Sequence, residues 1–406
     1  MKFLINLKKQ STRKEKLIFL IYCLFLAALF LYSFTQIDLS LTFSRITFLR
    51  NLVKSFQYIG YINRPLSTIL YIIVLLVLHG LYFFYLFLSR HQKISKQKIW
   101  LILIITASIL TFSYNTFSYD LFNYIFDAKI ITHFHQNPYI HKALDYPGDP
   151  MLSFMHWTQR VYPYGPAWLV LTVPLSFLGM QLFLPTFFLF KLLISMSYLG
   201  TLYFISKIFQ KISPRYELWG LVFLGLNPLM IIECLISSHN DIVMMFFAVW
   251  SLYLLLNKKY FLSLILLLIS IGIKFATGLL LPVYLLIALL QINNKKIYWV
   301  KLFFLMLFLM IAAAVMASLR TNFQPWYLVE PLVLAVFISG EYIILFPGII
   351  ISFFALLTYV PFLFLGNWDK PVPQLLGNFR LISYILSVLA VAVYFFWQKL
   401  TKRNII

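Results

Sequence analysis

The chain has 406 residues, of which 62% are hydrophobic and only 11% are charged, and its net charge is +21 at pH 7. A soluble domain would have roughly 25% charged residues, so this composition excludes an ordinary soluble enzyme. The lysines and arginines form short clusters between apolar runs and no separate basic domain, which argues against nucleic acid as a partner.

Apolar runs of membrane-spanning length recur along the chain. They predict one all-α polytopic membrane domain over 1–406 with about 12 or 13 transmembrane helices. The predicted helices lie near 17–34, 66–88, 99–115, 183–206, 217–236, 241–257, 260–272, 276–291, 298–318, 327–340, 343–365 and 377–398. The short apolar segment 167–179 predicts an interfacial or re-entrant helix, with a thirteenth full span as the alternative. The stretch 36–64 mixes aromatic residues with cations and predicts an amphipathic helix on the membrane surface.

The basic clusters predict which loops face the cytoplasm. With a cytoplasmic N-terminus, the clusters at 90–98, 207–215, 258–259, 295–296 and 399–403 all fall on the cytoplasmic side. A long polar loop, 116–166, lies between the third and fourth predicted helices. It then falls on the extracytoplasmic side together with the turn 237–241, Lys274 and the segment 322–327. Nearly all the polar groups that could do chemistry are therefore expected at one membrane face.

The loop 116–166 is predicted to be the catalytic segment, because it holds four of the 12 acidic residues in the chain. Asp120 could accept a proton from a sugar hydroxyl, or bind a divalent ion such as Mg²⁺ or Mn²⁺. The alternative is that Asp120 caps the helix that follows it, since Asp is a favoured N-cap residue.

Asp127 follows Asp120 by two helical turns and so lies on the same helix face. It is a candidate second carboxylate of the site. The alternative is a structural ion pair with Lys129 or Arg160.

A second polar cluster, His239-Asn240-Asp241, lies between two apolar spans and suits sugar hydroxyls or a phosphate. Its alternative is a hairpin in which Asn240 and Asp241 cap the next helix. Glu233 lies inside a span and needs a partner that the sequence does not name. Lys274 suits a lipid phosphate, because ammonium groups bind phosphate as point charges, or it snorkels to the interface.

Trp326 and Tyr327 begin a late span. Aromatic residues at this depth usually form the interfacial belt, although they also stack on sugar rings. The chain has no Gly-rich phosphate loop, nucleophile elbow or HExxH motif. The activated donor is therefore not expected to be a nucleotide sugar.

A series of short motifs between 118 and 327 resembles, in order, the polyprenyl-phosphate-mannose-dependent mannosyltransferases, bacterial enzymes of the GT-C superfamily. Ser118-Tyr119-Asp120 with Tyr124 resembles the opening of that family's external loop. The other matching motifs are Gln136-Asn137-Pro138-Tyr139, Tyr164-Gly165-Pro166, Asn227-Pro228-Leu229, His239-Asn240-Asp241, Ile273-Lys274 and Pro325-Trp326-Tyr327.

The resemblance implies a GT-C fold in the bacterial plasma membrane and an inverting transferase with its active site outside. The enzyme would move mannose, or a related hexose, from a polyprenyl-phosphate carrier to a glycan or glycolipid acceptor, with Asp120 as the catalytic base. The predicted substrate-binding residues are Tyr119, Asp127, Asn137, Tyr139, Arg160, Tyr164, His239, Asn240, Asp241, Lys274, Trp326 and Tyr327. The alternative function is a transporter or flippase, which would place charges near mid-membrane rather than at one face.

Overall fold

All regular secondary structure is helical over the residues that the computed structural model describes, 13–41 and 45–403. These residues are 79% helical and form no strand, and an isolated bridge pairs Lys142 with Val161. The predicted all-α class is confirmed.

The helices of the first half lead from the N-terminal span to the long seventh helix. They are α1 (Arg13–Ser33), α2 (Thr47–Gln57), α3 (Arg64–Arg90), α4 (Lys96–Thr111), α5 (Asp120–Thr132), α6 (Pro166–Leu178) and α7 (Phe183–Ile212). The helix α5 and the irregular segment after it make up most of the polar loop 116–166.

The second half begins with a helix that is broken in the middle. Its helices are α8 (Glu217–Gly225), α9 (Pro228–Met230) with the π-helical turn Ile231–Ile236, α10 (Asp241–Leu256), α11 (Tyr260–Ile273), α12 (Leu281–Ile292), α13 (Trp299–Thr321), α14 (Val329–Ala335), α15 (Tyr342–Leu357), α16 (Tyr359–Leu365) and α17 (Val372–Arg403).

Within the described ranges, seven helical segments are long and apolar enough to cross a membrane, and an eighth if the two parts of the broken helix count as one span. Each of the twelve predicted spans has a helix in the structure. However, α10 and α11 have only 16 and 14 residues, below the roughly 20 that a bilayer requires. The chain is thus a polytopic membrane protein with fewer full-length spans than predicted.

Two shorter helices match their predicted character. The helix α6 has 13 residues and is too short to cross a bilayer. The helix α2 carries Phe48 and Leu52 on one face and Arg50 and Lys54 on the opposite face, as the 100° helical step requires. Phe48 is 73% exposed, which suits an amphipathic helix at an interface.

The break in the helix at Asn227 turns the chain toward the polar loop. Pro228 has no N–H to donate, and the Asn227 side chain instead accepts a hydrogen bond from the backbone N–H of Leu229 at 2.9 Å. The two halves, Pro214–Gly225 and Pro228–Ile236, are bent by 53°. The second half therefore ends in a turn that carries His239.

A buried lysine fixes the end of this second half. Lys191 on α7 is 1% exposed, and its Nζ donates to Ser113 Oγ at 2.9 Å and to the carbonyl oxygens of Leu235 at 2.7 Å and Ile236 at 3.3 Å. These carbonyls end the π-helical turn, where backbone acceptors lack helical partners. Lys191 thereby holds the turn in place.

The Tyr164-Gly165-Pro166 motif is explained by a close backbone approach. A Cβ atom at Gly165 would lie 2.2 Å from the carbonyl oxygen of Gly272, so no other residue fits without a shift. The Gly165 N–H donates to the carbonyl of Ile273 at 3.1 Å. This contact brings the end of the polar loop beside Lys274.

Candidate active site

Asp120 is the first residue of α5, and its carboxylate does not cap that helix. The N-cap position belongs to Tyr119, which makes no side-chain cap, so the capping alternative is wrong. The Asp120 N–H donates to Ser118 Oγ at 3.1 Å. A carboxylate in the first turn is also stabilised by the helix dipole.

Two cationic side chains face the Asp120 carboxylate from different parts of the chain. Its Oδ1 lies 3.8 Å from Arg160 Nη2, and its Oδ2 lies 3.6 Å from His239 Nδ1. Burial alone would raise the pKa of Asp120, but the contact with His239 and the charges of His239, Arg160 and Lys274 outweigh it and lower that pKa. Asp120 is therefore ionised at neutral pH.

His239 lies between two carboxylates and is completely buried. Its Nε2 is 3.4 Å from Glu233 Oε2, and the Tyr359 hydroxyl donates to Glu233 Oε1 at 3.0 Å. Burial would lower the pKa of His239, but Asp120 and Glu233 raise it to about 9. Trp326 stacks on the imidazole, with ring centroids 4.1 Å apart. The partners of Glu233, which the sequence could not name, are thus His239 and Tyr359.

Asp241 and Lys274 form the second charged contact of the site. Lys274 Nζ lies 2.8 Å from both carboxylate oxygens of Asp241, and Asp241 is fully buried. The ammonium also lies 5.8 Å from the centre of the Tyr164 ring. Lys274 is therefore paired inside the protein instead of snorkelling to water. Glu330, which sequence reasoning did not consider, is buried close to this pair.

Asn240 lies between His239 and Asp241 in the turn. It occupies the N-cap position of α10 without a side-chain cap, so the predicted capping role is wrong for this residue, and Asp241 pairs with Lys274. Asn240 is fully buried, and its amide oxygen and nitrogen have no hydrogen-bond partner in the part of the chain that is described.

Three predicted substrate-binding residues, Asn137, Tyr139 and Tyr327, make hydrogen bonds within the protein. The Asn137 side chain accepts from the Tyr139 N–H at 3.0 Å, and the Tyr139 hydroxyl donates to the Tyr164 carbonyl at 3.2 Å. The Tyr327 hydroxyl bonds to Thr321 at 2.6 Å. These contacts are structural and leave each residue's contact with substrate as a prediction.

Asp38 adds a carboxylate that sequence reasoning missed. It follows the first membrane helix, and its Oδ2 accepts a hydrogen bond from the Tyr119 hydroxyl at 3.3 Å. The Tyr119 ring stacks on His156 at 3.7 Å. Sequence reasoning could not link Asp38 to the site, because 81 positions separate it from Tyr119. Asp38 and His156 therefore lie near Asp120, because both contact Tyr119, the residue before Asp120.

The charges of Arg160 and Asp120 both act on Asp127. This agrees with the prediction that Asp120 and Asp127 lie on one face of α5. Asp127 does not pair with Lys129, which forms an ion pair with Asp149. Burial, opposed by Arg160, raises the pKa of Asp127 to about 8. Asp127 is therefore protonated and uncharged at neutral pH.

We expect Asp127→Asn to lower transfer at pH 7 by less than about threefold, because an amide replaces a carboxyl that is already neutral. Above about pH 8 the wild type ionises Asp127 and the variant does not, so their rates should diverge. The check is the transfer rate of both proteins at neutral pH and just above a pH of about 8. A loss of about 100-fold at pH 7, the size expected for removal of a general base, would contradict the protonated state.

The residues around Asp120 do not fit a divalent metal ion. Among the described residues, no group of three or more His, Cys, Asp or Glu side chains is placed to hold one. The nearest charged groups to Asp120 are the cations Arg160 and His239, which repel a metal ion. We derive no step through a metal.

A cavity of about 130 Å³ lies away from this cluster. Ile125 and Lys129 on α5 contribute to its lining, and helical geometry places both about 140–180° around α5 from Asp120. The cavity is therefore separate from the charged cluster.

A family model described as "Alpha-(1->6)-mannopyranosyltransferase, N-terminal domain" matches residues 40–290, more than half of the chain. The chain belongs to this family. It is a GT-C type mannosyltransferase, as the sequence motifs predicted. Among curated proteins and solved structures, none matches the chain.

The matched range does not contain every residue that surrounds Asp120 and His239 in the mannosyltransferase. Asp120, Arg160 and His239 lie inside it, whereas Trp326 and Tyr359 lie beyond its end. Trp326 stacks on His239, and Tyr359 binds Glu233. The part of the mannosyltransferase after residue 290 therefore completes the surroundings of His239.

Proposed function

We propose that this mannosyltransferase takes mannose from a polyprenyl-phosphate carrier and transfers it to a glycan or glycolipid acceptor at the extracytoplasmic face of the bacterial plasma membrane. The family supports mannosyl transfer, and the apolar helices support a membrane setting. The observation that carries the reaction is the position of the Asp120 carboxylate at the start of α5, 3.8 Å from Arg160 Nη2 and 3.6 Å from His239 Nδ1.

Asp120 serves as the base in this proposal. As the acceptor oxygen bonds to the anomeric carbon, the bond from that carbon to the phosphate oxygen breaks and its electron pair leaves with the phosphate. The hydroxyl proton passes to Asp120. A carboxylate with a lowered pKa is a weak base, so this transfer is completed late, after the attacking oxygen has become acidic.

The reactive oxygen of Asp120 is Oδ1. His239, which has no exposed surface, engages Oδ2. Oδ1 instead faces Arg160, whose side chain is 42% exposed. An acceptor hydroxyl is therefore expected to bind Asp120 at Oδ1.

Arg160 is the more exposed of the two candidate cations for the leaving phosphate, at 42% against 24% for Lys274. Lys274, which the sequence favoured, already engages both oxygens of Asp241. The Arg160 guanidinium is more exposed and lies beside the proposed base, and its fork of donors matches phosphate geometry. Electrostatic stabilisation of the negative charge on the leaving phosphate is the largest contribution that the protein makes to such a transfer.

The test uses purified protein in sealed vesicles with a mannose oligosaccharide as acceptor. Radiolabelled polyprenyl-phosphate-mannose is compared with a nucleotide-linked mannose, each with and without a metal chelator. We expect transfer only from the lipid donor, and no loss on chelation. Transfer only from the nucleotide sugar would overturn the donor assignment, and loss restored by Mg²⁺ or Mn²⁺ would require a metal in the mechanism.

A further inference from the structure

Glu233 occupies a position that the proposed reaction does not use. It lies on the π-helical turn, is fully buried, and is separated from Asp120 by the His239 ring, whose two nitrogens lie 3.4 Å from Glu233 and 3.6 Å from Asp120. Tyr359 holds the other oxygen of Glu233. A buried carboxylate persists only when it is paired and hydrogen-bonded.

The groups around His239 come from several packed elements. Asp120 on α5 and Glu233 on the π-helical turn face its nitrogens, and Trp326 covers its ring. Tyr359 on α16 reaches it only through Glu233. Lys274 and Asp241 neutralise each other at the end of the same turn. The buried charges at the ring are thus two carboxylates and one imidazolium.

We propose that Glu233 is a positioning residue that acts on Asp120 through His239. Its carboxylate keeps the imidazole charged and fixed in plane, so that the imidazolium stays beside Asp120 Oδ2 at 3.6 Å, and Oδ1, which faces Arg160, receives the acceptor. Glu233 has no exposed surface and does not touch substrate. This inference rests on the proposed role of Asp120 as base.

Removing the charge of Glu233 should change the pH dependence of transfer. In the wild type, His239 stays charged up to a pKa of about 9, so the rate should fall as the pH rises through that value. In Glu233→Gln, His239 loses its proton at a lower pH, and the alkaline limb should move down by about one pH unit or more. A less charged His239 also stabilises ionised Asp120 less, so the acid limb should move up.

The experiment measures kcat and KM for transfer from polyprenyl-phosphate-mannose across the pH range in wild type and Glu233→Gln. We expect kcat at neutral pH to fall roughly tenfold, as for loss of one contact to a charged group, with KM for the donor little changed. Tyr359→Phe should move the alkaline limb of the pH profile down and the acid limb up, each by less than in Glu233→Gln. It provides a second test if Glu233→Gln does not accumulate.

The matched control is Glu217→Gln. Glu217 is also an ion-paired glutamate, bound to Lys96, Ser206 and Gln210 near the start of the same broken helix. Its loss should leave the pH profile unchanged. A merely structural role of Glu233 would lower activity without moving either limb, and that result would overturn the inference.

A double-mutant cycle tests whether Glu233 acts on Asp120 through His239 or independently of it. In a His239→Gln background, Glu233→Gln should cause little further loss, because the two residues act as one unit. Additive losses would contradict the proposal. If wild type transfers no mannose from the lipid donor, the proposed function itself fails, whereas normal transfer with an unshifted Glu233→Gln profile defeats only this inference.

Discussion

Asp120→Asn should lower mannosyl transfer by about 100-fold to 10,000-fold, the usual contribution of a general base. The amide keeps the shape of the carboxyl group but cannot accept the acceptor proton. It also removes the negative charge between Arg160 and His239. The rate is measured with saturating polyprenyl-phosphate-mannose and equal amounts of inserted protein.

The matched control for this variant is Asp369→Asn, which makes the same substitution at an exposed position between α16 and α17. It should transfer mannose at the wild-type rate. Asp127→Asn provides a second comparison on the same face of α5, with its small expected loss at pH 7. Retention of full activity in Asp120→Asn would remove Asp120 from the chemistry.

Lys274→Met should destabilise the folded protein by roughly 3–5 kcal/mol, the typical cost of breaking a buried ion pair from one side. Asp241 is fully buried and would lose the ammonium that contacts both of its oxygens. The check is the midpoint of thermal unfolding in detergent.

The double variant Asp241→Asn with Lys274→Met should recover most of that stability, because no unpaired charge remains. Lys301→Met tests the substitution itself at an exposed residue on α13 and should leave the midpoint unchanged. If the single Lys274→Met variant unfolds at the wild-type temperature, the contact contributes little to folding.

The sequence was sufficient for the helical fold because the apolar runs are long and separated by cations. The span predicted at 66–88 is Arg64–Arg90 in the structure, and the one at 183–206 is Phe183–Ile212. The sequence was not sufficient to predict how many of these helices are long enough to cross the membrane. Hydropathy is similar in short and long apolar helices, and the 53° bend at Asn227 depends on how the two halves pack.

The site was predictable as a collection of segments but not as a set of contacts. The sequence placed Asp120, His239 and Lys274 on one membrane face, and the structure brings them together. It could not pair Glu233 with Tyr359, because 126 positions separate them. Such pairing depends on tertiary packing, which has no signal in local periodicity.

The contact of Lys191 has a consequence for the order of events during synthesis. Its carbonyl partner Ile236 lies 45 positions further along the chain, so at about 5–20 residues per second it emerges roughly 2–9 s later. During that interval the Lys191 ammonium on α7 lacks its two carbonyl partners, Leu235 and Ile236, and a charge within the bilayer is costly. We therefore expect nascent chains that stop between α7 and the π-helical turn to be poorly retained in the membrane.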